Sequence, residues 1–118
     1  MRRRSPSGKQ PARRVPAPAD SSLLRASAGE AARLLRALSN ENRLLLLCLL
    51  FEGEKTVGEL NQSLPLSQSA LSQHLAVLRG EGMVKTRRAG QSIYYGLDSP
   101  AARGVIETLH AIYCPDRC

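Results

Sequence analysis

The chain lacks a long hydrophobic run, a Cys-x-x-Cys pair and a glycine-rich phosphate loop, and each absence removes a class of function. Its longest apolar stretch, residues 44–51, falls far short of the roughly 20 residues needed to cross a bilayer. No apolar segment follows Met1-Arg2-Arg3-Arg4, so the basic start does not read as a secretory leader. The expected location is cytoplasmic, where Cys48, Cys114 and Cys118 are thiols by default. There are no paired carboxylates suited to a cleft and no nucleophile placed beside a base, so neither an enzyme nor a bound cofactor is expected. No internal repeat is present, and 118 residues leave room for one domain.

Charge is abundant but unevenly placed. The formal net charge is +7, yet Arg2, Arg3, Arg4, Lys9, Arg13, Arg14 and Arg25 stand against Asp20 alone in the first 25 residues. The remainder is nearly neutral, so any affinity for nucleic acid there depends on where individual charges sit. Up to about Asp20 the chain alternates Arg, Pro, Ser and Ala with almost no large apolar residue, and it cannot offset the entropy of ordering. Residues 1–25 are expected as a disordered basic tail, and residues 26–118 as the folded domain.

The most informative segment is Pro65-Leu66-Ser67-Gln68-Ser69-Ala70-Leu71-Ser72-Gln73-His74-Leu75-Ala76-Val77-Leu78-Arg79. Pro65 closes what precedes it, Ser67 is a good N-cap, and Leu71, Leu75 and Leu78 recur on one helical face. Gln68, Ser69, Ser72, Gln73 and Ala76 gather on the opposite face, which carries no carboxylate. Such a face suits a major groove, whereas an ordinary solvated face mixes Glu with Lys. His74 falls beside Leu71 and Leu78 and reads as a packed core histidine rather than a base reader.

The surrounding segments fit a recognition helix. Ala31, Leu34, Leu35 and Leu38 have the spacing of an amphipathic first helix, and Ser39-Asn40 supplies a break and the next N-cap. Residues 41–51 are apolar nearly all round and predict a central core helix ended by Gly53. Thr56-Val57-Gly58-Glu59 has the form of a capping box. Beyond the recognition helix, Gly80 and Gly82 stop it. Val84, Thr86 and Arg88 then alternate up to a turn at Ala89-Gly90, and Ile93, Tyr95 and Leu97 alternate after it. This predicts a two-stranded hairpin with Lys85, Arg87 and Arg88 beside its tip. Ser99-Pro100 opens a last helix with an apolar stripe of Ala102, Val105, Ile106, Leu109, Ile112 and Tyr113. The fold expected is mainly α, a winged helix-turn-helix of five helices plus a two-stranded β-hairpin wing. The last stripe is most economically buried in a homodimer, paired with the first helix.

Leu38-Ser39-Asn40-Glu41-Asn42-Arg43-Leu44, the capping box, the helix-turn-helix, Leu75-Ala76-Val77-Leu78-Arg79-Gly80-Glu81-Gly82-Met83-Val84 and the wing together resemble an ArsR/SmtB-type transcriptional repressor. The resemblance covers about residues 28–115. It implies a homodimer bound to an imperfect inverted-repeat operator in double-stranded DNA, with an inducer that lowers DNA affinity. The DNA-contacting residues expected are Ser67, Gln68, Ser69, Ser72 and Gln73 on the recognition helix, with Arg87, Arg88 and Gln91 on the wing.

Members of this family differ mainly in the inducer. Residues 57–64 hold no Cys or His, and the last helix offers only His110 with Glu107 one turn before it, a pair that reads as a solvated face. Zinc requires four ligands at fixed geometry, which cannot be assembled, so no metal site is expected. Cys48 in the core helix and Cys114 in Ile112-Tyr113-Cys114-Pro115 are similar to the cysteine pair of the sulfide- and persulfide-responsive BigR/SqrR/HlyU-like branch. That resemblance implies a redox-sensing Cys48–Cys114 pair switched by reactive sulfur species, while Cys118 has no counterpart. A metal- or arsenite-responsive repressor of the same fold, and a winged-helix protein-interaction module without DNA binding, are the alternatives.

Overall fold

The computed structural model describes residues 21–114. Most of the basic tail, and Cys118, lie outside the described residues. The elements are α1 (Ser21–Leu38), α2 (Glu41–Glu52), β1 (Lys55–Thr56), α3 (Val57–Ser63), α4 (Gln68–Gly80), β2 (Val84–Ala89), β3 (Ser92–Leu97) and α5 (Pro100–Tyr113). Residues up to Glu30 and residues from Ala31 onward form separate units. The described part of the first is the start of α1, exposed at every position. All other elements belong to the second.

α1 begins at Ser21, ahead of the boundary expected at residue 26. Pro18 is the last proline before Pro65, and the intervening Ala, Leu and Arg residues are good helix formers. The turn from α1 to α2 is held from both sides. The Asn40 side chain accepts from the Arg43 N–H at 3.0 Å and caps α2. The Arg43 guanidinium turns back and donates to the carbonyls of Ala37 (2.6 Å) and Arg36 (3.3 Å) in the last turn of α1, and the Arg36 carbonyl also accepts from the Ser39 N–H at 3.2 Å. One short motif thus ends one helix and starts the next.

α2 supplies the centre of the core through Leu46, Leu47 and Leu50, which meet Leu60 of α3, Leu71, Leu75 and Leu78 of α4, and Ala102 and Ile106 of α5. Each buried leucine of this kind contributes about 1.5–3 kcal/mol by leaving water. The capping box at Thr56 is complete: its hydroxyl accepts from the Glu59 N–H, and the Glu59 carboxylate accepts from the Thr56 N–H. Between α3 and α4 the Asn61 amide donates to the Leu66 carbonyl at 2.8 Å, fixing the turn that aims α4.

The wing differs from expectation by one strand. β1 pairs with β3 through Lys55↔Tyr95 and Thr56↔Tyr94, making a three-stranded antiparallel sheet in the order β1-β3-β2. A two-residue strand is too short to show alternation and exists only through its partner. β2 and β3 pair from Val84↔Leu97 to Ala89↔Ser92, and the tip passes through Gly90 at φ 64°, a left-handed conformation that favours glycine. Ser99 caps α5, with Pro100 at its start. Ala102 and Ile106 of the expected apolar stripe are buried, whereas Ile112 and Tyr113 are 60% and 75% exposed. On α1, Leu35 is likewise exposed at 57%.

Candidate nucleic-acid interface and thiol pair

α4 turns its three leucines, Leu71, Leu75 and Leu78, fully into the core. That fixes the rotation of the helix, and Gln68, Ser69, Ser72, Gln73 and Ala76 are all exposed. No acidic residue lies in its first turn, where the N–H groups of the helix end favour negative charge. Ser67 is the N-cap: its hydroxyl oxygen accepts from the Ala70 N–H at 3.1 Å and lies 3.4 Å from the Ser69 hydroxyl. The exposed face therefore offers two carboxamides and a set of hydroxyls, groups able both to donate and to accept. His74 is half-buried at the edge of the leucine face.

On the wing, Arg88 and Gln91 are exposed, with Gln91 at the tip. Arg87 is exposed but already engaged. Its Nε and Nη2 donate to the Glu54 carboxylate at 2.8–3.2 Å, and its guanidinium lies 4.8 Å from the centroid of the Tyr94 ring. The hydrogen bond from Arg87 holds the Glu54 carboxyl below the usual carboxylate range, and the charge of Arg87 and Lys85 adds to this. Lys85 has a looser partner in Asp98 at 3.9 Å. Among the described residues, Arg88 alone of the three wing cations carries no ion pair.

The cysteines lie on the two helices expected. Cys48 is half-buried in α2 and packs against the core. Burial raises its thiol pKa above the ordinary range, and Glu52 one turn on raises it further. Cys114 caps the end of α5, its N–H donating to the His110 carbonyl at 2.8 Å. Cys114 is disulfide-bonded while Cys48 is a free thiol, so the expected bridge between them is not closed in this structure. His110 is not on a solvated face: it is half-buried and meets the Phe51 ring edge-on, with centroids 5.3 Å apart. Among the described residues no group of three or more His, Cys, Asp or Glu is placed to hold a metal ion. No helix among them is long and apolar enough to cross a membrane.

Residues 40–86 match the family model for bacterial regulatory proteins of the arsR family. The transcriptional activator HlyU of Vibrio cholerae serotype O1 is 47% identical over 98 residues, 83% of this chain and 91% of that protein. The chain belongs to the arsR family of bacterial regulatory proteins. Reduced HlyU from Vibrio cholerae matches this ArsR-family chain with a TM-score of 0.76 at 47% identity, covering 79% of this chain and 98% of that one. The transcriptional repressor BigR from Xylella fastidiosa matches with a TM-score of 0.72 at 42% identity, covering 80% and 97%. The homodimeric winged helix-turn-helix DNA-binding domain Mb0332 from Mycobacterium bovis matches with a TM-score of 0.69 at 26% identity, covering 80% and 88%. The ArsR-family chain is thus a winged helix-turn-helix transcriptional regulator and not an enzyme, as its sequence led us to expect.

Sequence reasoning missed Glu54 as the partner of Arg87. A signal was present in Gly96, since a glycine inside an alternating strand often marks close approach by another group. A Cβ at Gly96 would lie 3.2 Å from Glu54 Cγ.

Proposed function

We propose that this ArsR-family regulator is a dimeric repressor that reads an inverted-repeat operator in double-stranded DNA and releases it when reactive sulfur species join Cys48 to Cys114. The observation that carries the DNA reading is the exposed, carboxylate-free face of α4. Gln68, Ser69, Ser72 and Gln73 contact base edges from it, Ser67 lies at its N-terminal cap, and Arg87, Arg88 and Gln91 meet the backbone or minor groove from the wing. The exposed Leu35, Ile112 and Tyr113 are the apolar surface that a second copy covers. Residues 1–20 serve as a nonspecific electrostatic arm preceding the domain.

The switch is sulfur transfer followed by ring closure, acting on protein in which Cys114 is reduced. A persulfide R–S–SH gives its outer sulfur to the Cys114 thiol, leaving Cys114–S–SH and R–SH. The Cys48 thiolate then attacks the inner sulfur, forming Cys48–S–S–Cys114 and expelling hydrogen sulfide. Two thiols are oxidised, and one sulfane sulfur is reduced. Persulfides on both cysteines close instead to a trisulfide with loss of the same hydrogen sulfide, which relaxes the Cα separation of at most about 7 Å that a simple disulfide demands. Burial keeps the Cys48 thiol protonated at neutral pH, so it reacts more slowly than an ordinary exposed thiol. A bridge ties the core helix to α5, and because the two recognition helices of a dimer must meet grooves about 34 Å apart, a small change in dimer geometry ends productive binding.

The test is duplex binding by reduced protein before and after polysulfide, peroxide or zinc, with the modified cysteines mapped by mass spectrometry. Polysulfide-dependent release with a Cys48–Cys114 cross-link is the expected result. Release by stoichiometric zinc or arsenite would replace it with the metal-responsive reading, and absence of salt-dependent duplex binding with the interaction-module reading.

A further inference from the structure

The wing sheet carries a contact that DNA recognition does not require. In the order β1-β3-β2, Glu54 immediately precedes β1 on one edge and Arg87 lies on β2 at the other edge, so the central strand β3 stands between them. Glu54 nevertheless reaches Arg87 and accepts hydrogen bonds at 3.0 and 3.2 Å from its Nε and 2.8 Å from its Nη2. The crossing is possible because β3 has Gly96 at that point. A Cβ there would stand 3.2 Å from Glu54 Cγ, 3.6 Å from its Oε2 and 3.9 Å from its Cδ. Tyr94, paired with Arg87 across the ladder, supplies the other wall, its ring centroid 4.8 Å from the guanidinium carbon. The carboxylate thus occupies the two-pronged donor edge that a guanidinium offers equally well to a phosphate.

We propose that Glu54 is an internal competitor for the DNA backbone at Arg87, a carboxylate laid over Gly96 that the guanidinium exchanges for a phosphate when the wing docks. The inference rests on the reading that the wing meets DNA. It adds that the wing's baseline affinity is deliberately low: one cation, Arg88, attracts any duplex at once, whereas Arg87 contributes only after leaving Glu54. An exposed ion pair is weak enough to be exchanged, and the contact with Tyr94 keeps the guanidinium on the sheet while the partner changes.

The experiment measures binding of the full chain to a nonspecific duplex at low salt for wild type, Glu54→Gln, Arg87→Ala and the double variant. Both side chains are exposed, so the variants leave the core intact. Glu54→Gln is expected to tighten binding about two- to five-fold, the range set by an exposed ion pair, and the gain is expected to vanish in the Arg87→Ala background. Gly96→Ala, which displaces the carboxylate without changing net charge, is expected to tighten binding by a smaller factor. An equal gain with and without Arg87 would mean simple repulsion between Glu54 and DNA and would overturn the proposal. Weaker binding by Glu54→Gln would overturn it by showing that Glu54 holds Arg87 in its bound pose, and unchanged binding would overturn it directly. If Arg87→Ala has no effect even in the Glu54→Gln background, the wing does not meet the backbone, and the underlying interface reading fails as well. If Arg87→Ala weakens binding there while Glu54→Gln alone changes nothing, only the competitor fails.

Discussion

Phe51 on α2 and His110 on α5 meet edge to face at a centroid separation of 5.3 Å, and the two rings register the helices that carry the cysteines. Cys48 lies three residues before Phe51 and Cys114 four residues after His110, each about one helical turn from the contact. The Arg103 guanidinium sits 5.1 Å from the same Phe51 ring. Phe51 therefore joins α2 to α5 through both an aromatic edge and a cation, contacts worth more than the area they bury.

Replacing Phe51 with alanine removes this junction between α2 and α5. Because the side chain is half-buried, the expected loss in unfolding free energy is about 2–3 kcal/mol, at or below the low end for core phenylalanines. Urea unfolding of the reduced protein checks it, and the nearly unchanged stability of an Ile93→Ala variant at the exposed wing serves as the comparison.

The environment of Cys48 sets a pH dependence of definite sign. Burial and then Glu52 raise its thiol pKa, so at neutral pH it is protonated and alkylates more slowly than a thiol in an unstructured peptide. Its rate should climb only above the ordinary thiol range. The folded state keeps the proton over a window where the unfolded chain has lost it. Stability from this group is therefore full below the unfolded pKa and declines as pH rises through the folded one. A Cys48 alkylation rate already at its plateau near pH 7 would contradict this.

Much of this fold was legible because its signals are local. Asn40, Thr56 with Glu59, Ser67 and Ser99 all cap the helices they precede, since capping is decided within a few residues. The exposed face of α4 was legible because three leucines fix its rotation. What sequence could not show depends on partners distant in the chain. β1 exists through pairing with β3, Arg87 is held by a carboxylate 33 residues away, and His110 is half-buried where Phe51 meets it from another helix. The early start of α1 was obscured by the basic tail leading into it, where the last proline, Pro18, precedes the helix by only three residues.

On the wing, Arg87→Ala with Arg88→Ala should weaken binding to every duplex and lower the slope of log affinity against log salt, since each phosphate contact released contributes about 0.9 to that slope. Gln73→Ala should instead change preference at one base step and leave the salt slope alone. Titrations at several salt concentrations separate the two. A double wing variant with wild-type affinity and slope would reject the docking.

The basic tail calls for a truncation that respects the helix. Removing residues 1–20 takes away Arg2, Arg3, Arg4, Lys9, Arg13 and Arg14 and leaves α1 whole. Nonspecific affinity at low salt should fall while the ratio of operator to nonspecific affinity is kept, because the cations are scattered among prolines in the sequence without the regular spacing of a base-reading face. Competition assays with operator and random duplex measure that ratio. Loss of selectivity on truncation would make the tail a reading element.

The thiol switch makes the sharpest demand, because closing a bridge takes two sulfurs. Fully reduced protein should bind operator, and a persulfide donor should release it with a Cys48–Cys114 cross-link, one sulfur longer where both thiols were first persulfidated. Cys48→Ser and Cys114→Ser should each bind DNA and ignore the donor, since one thiol takes up sulfur but has nothing to close upon. Cys118→Ser should respond as wild type. That last variant decides between pairs: Cys114 is disulfide-bonded in this structure while Cys48 is free, so oxidation at Cys114 alone must be distinguished from a bridge to α2. If Cys118→Ser loses the response while Cys48→Ser keeps it, the switch lies at the end of α5 without the core helix. The lock between α2 and α5 would then be the wrong mechanism.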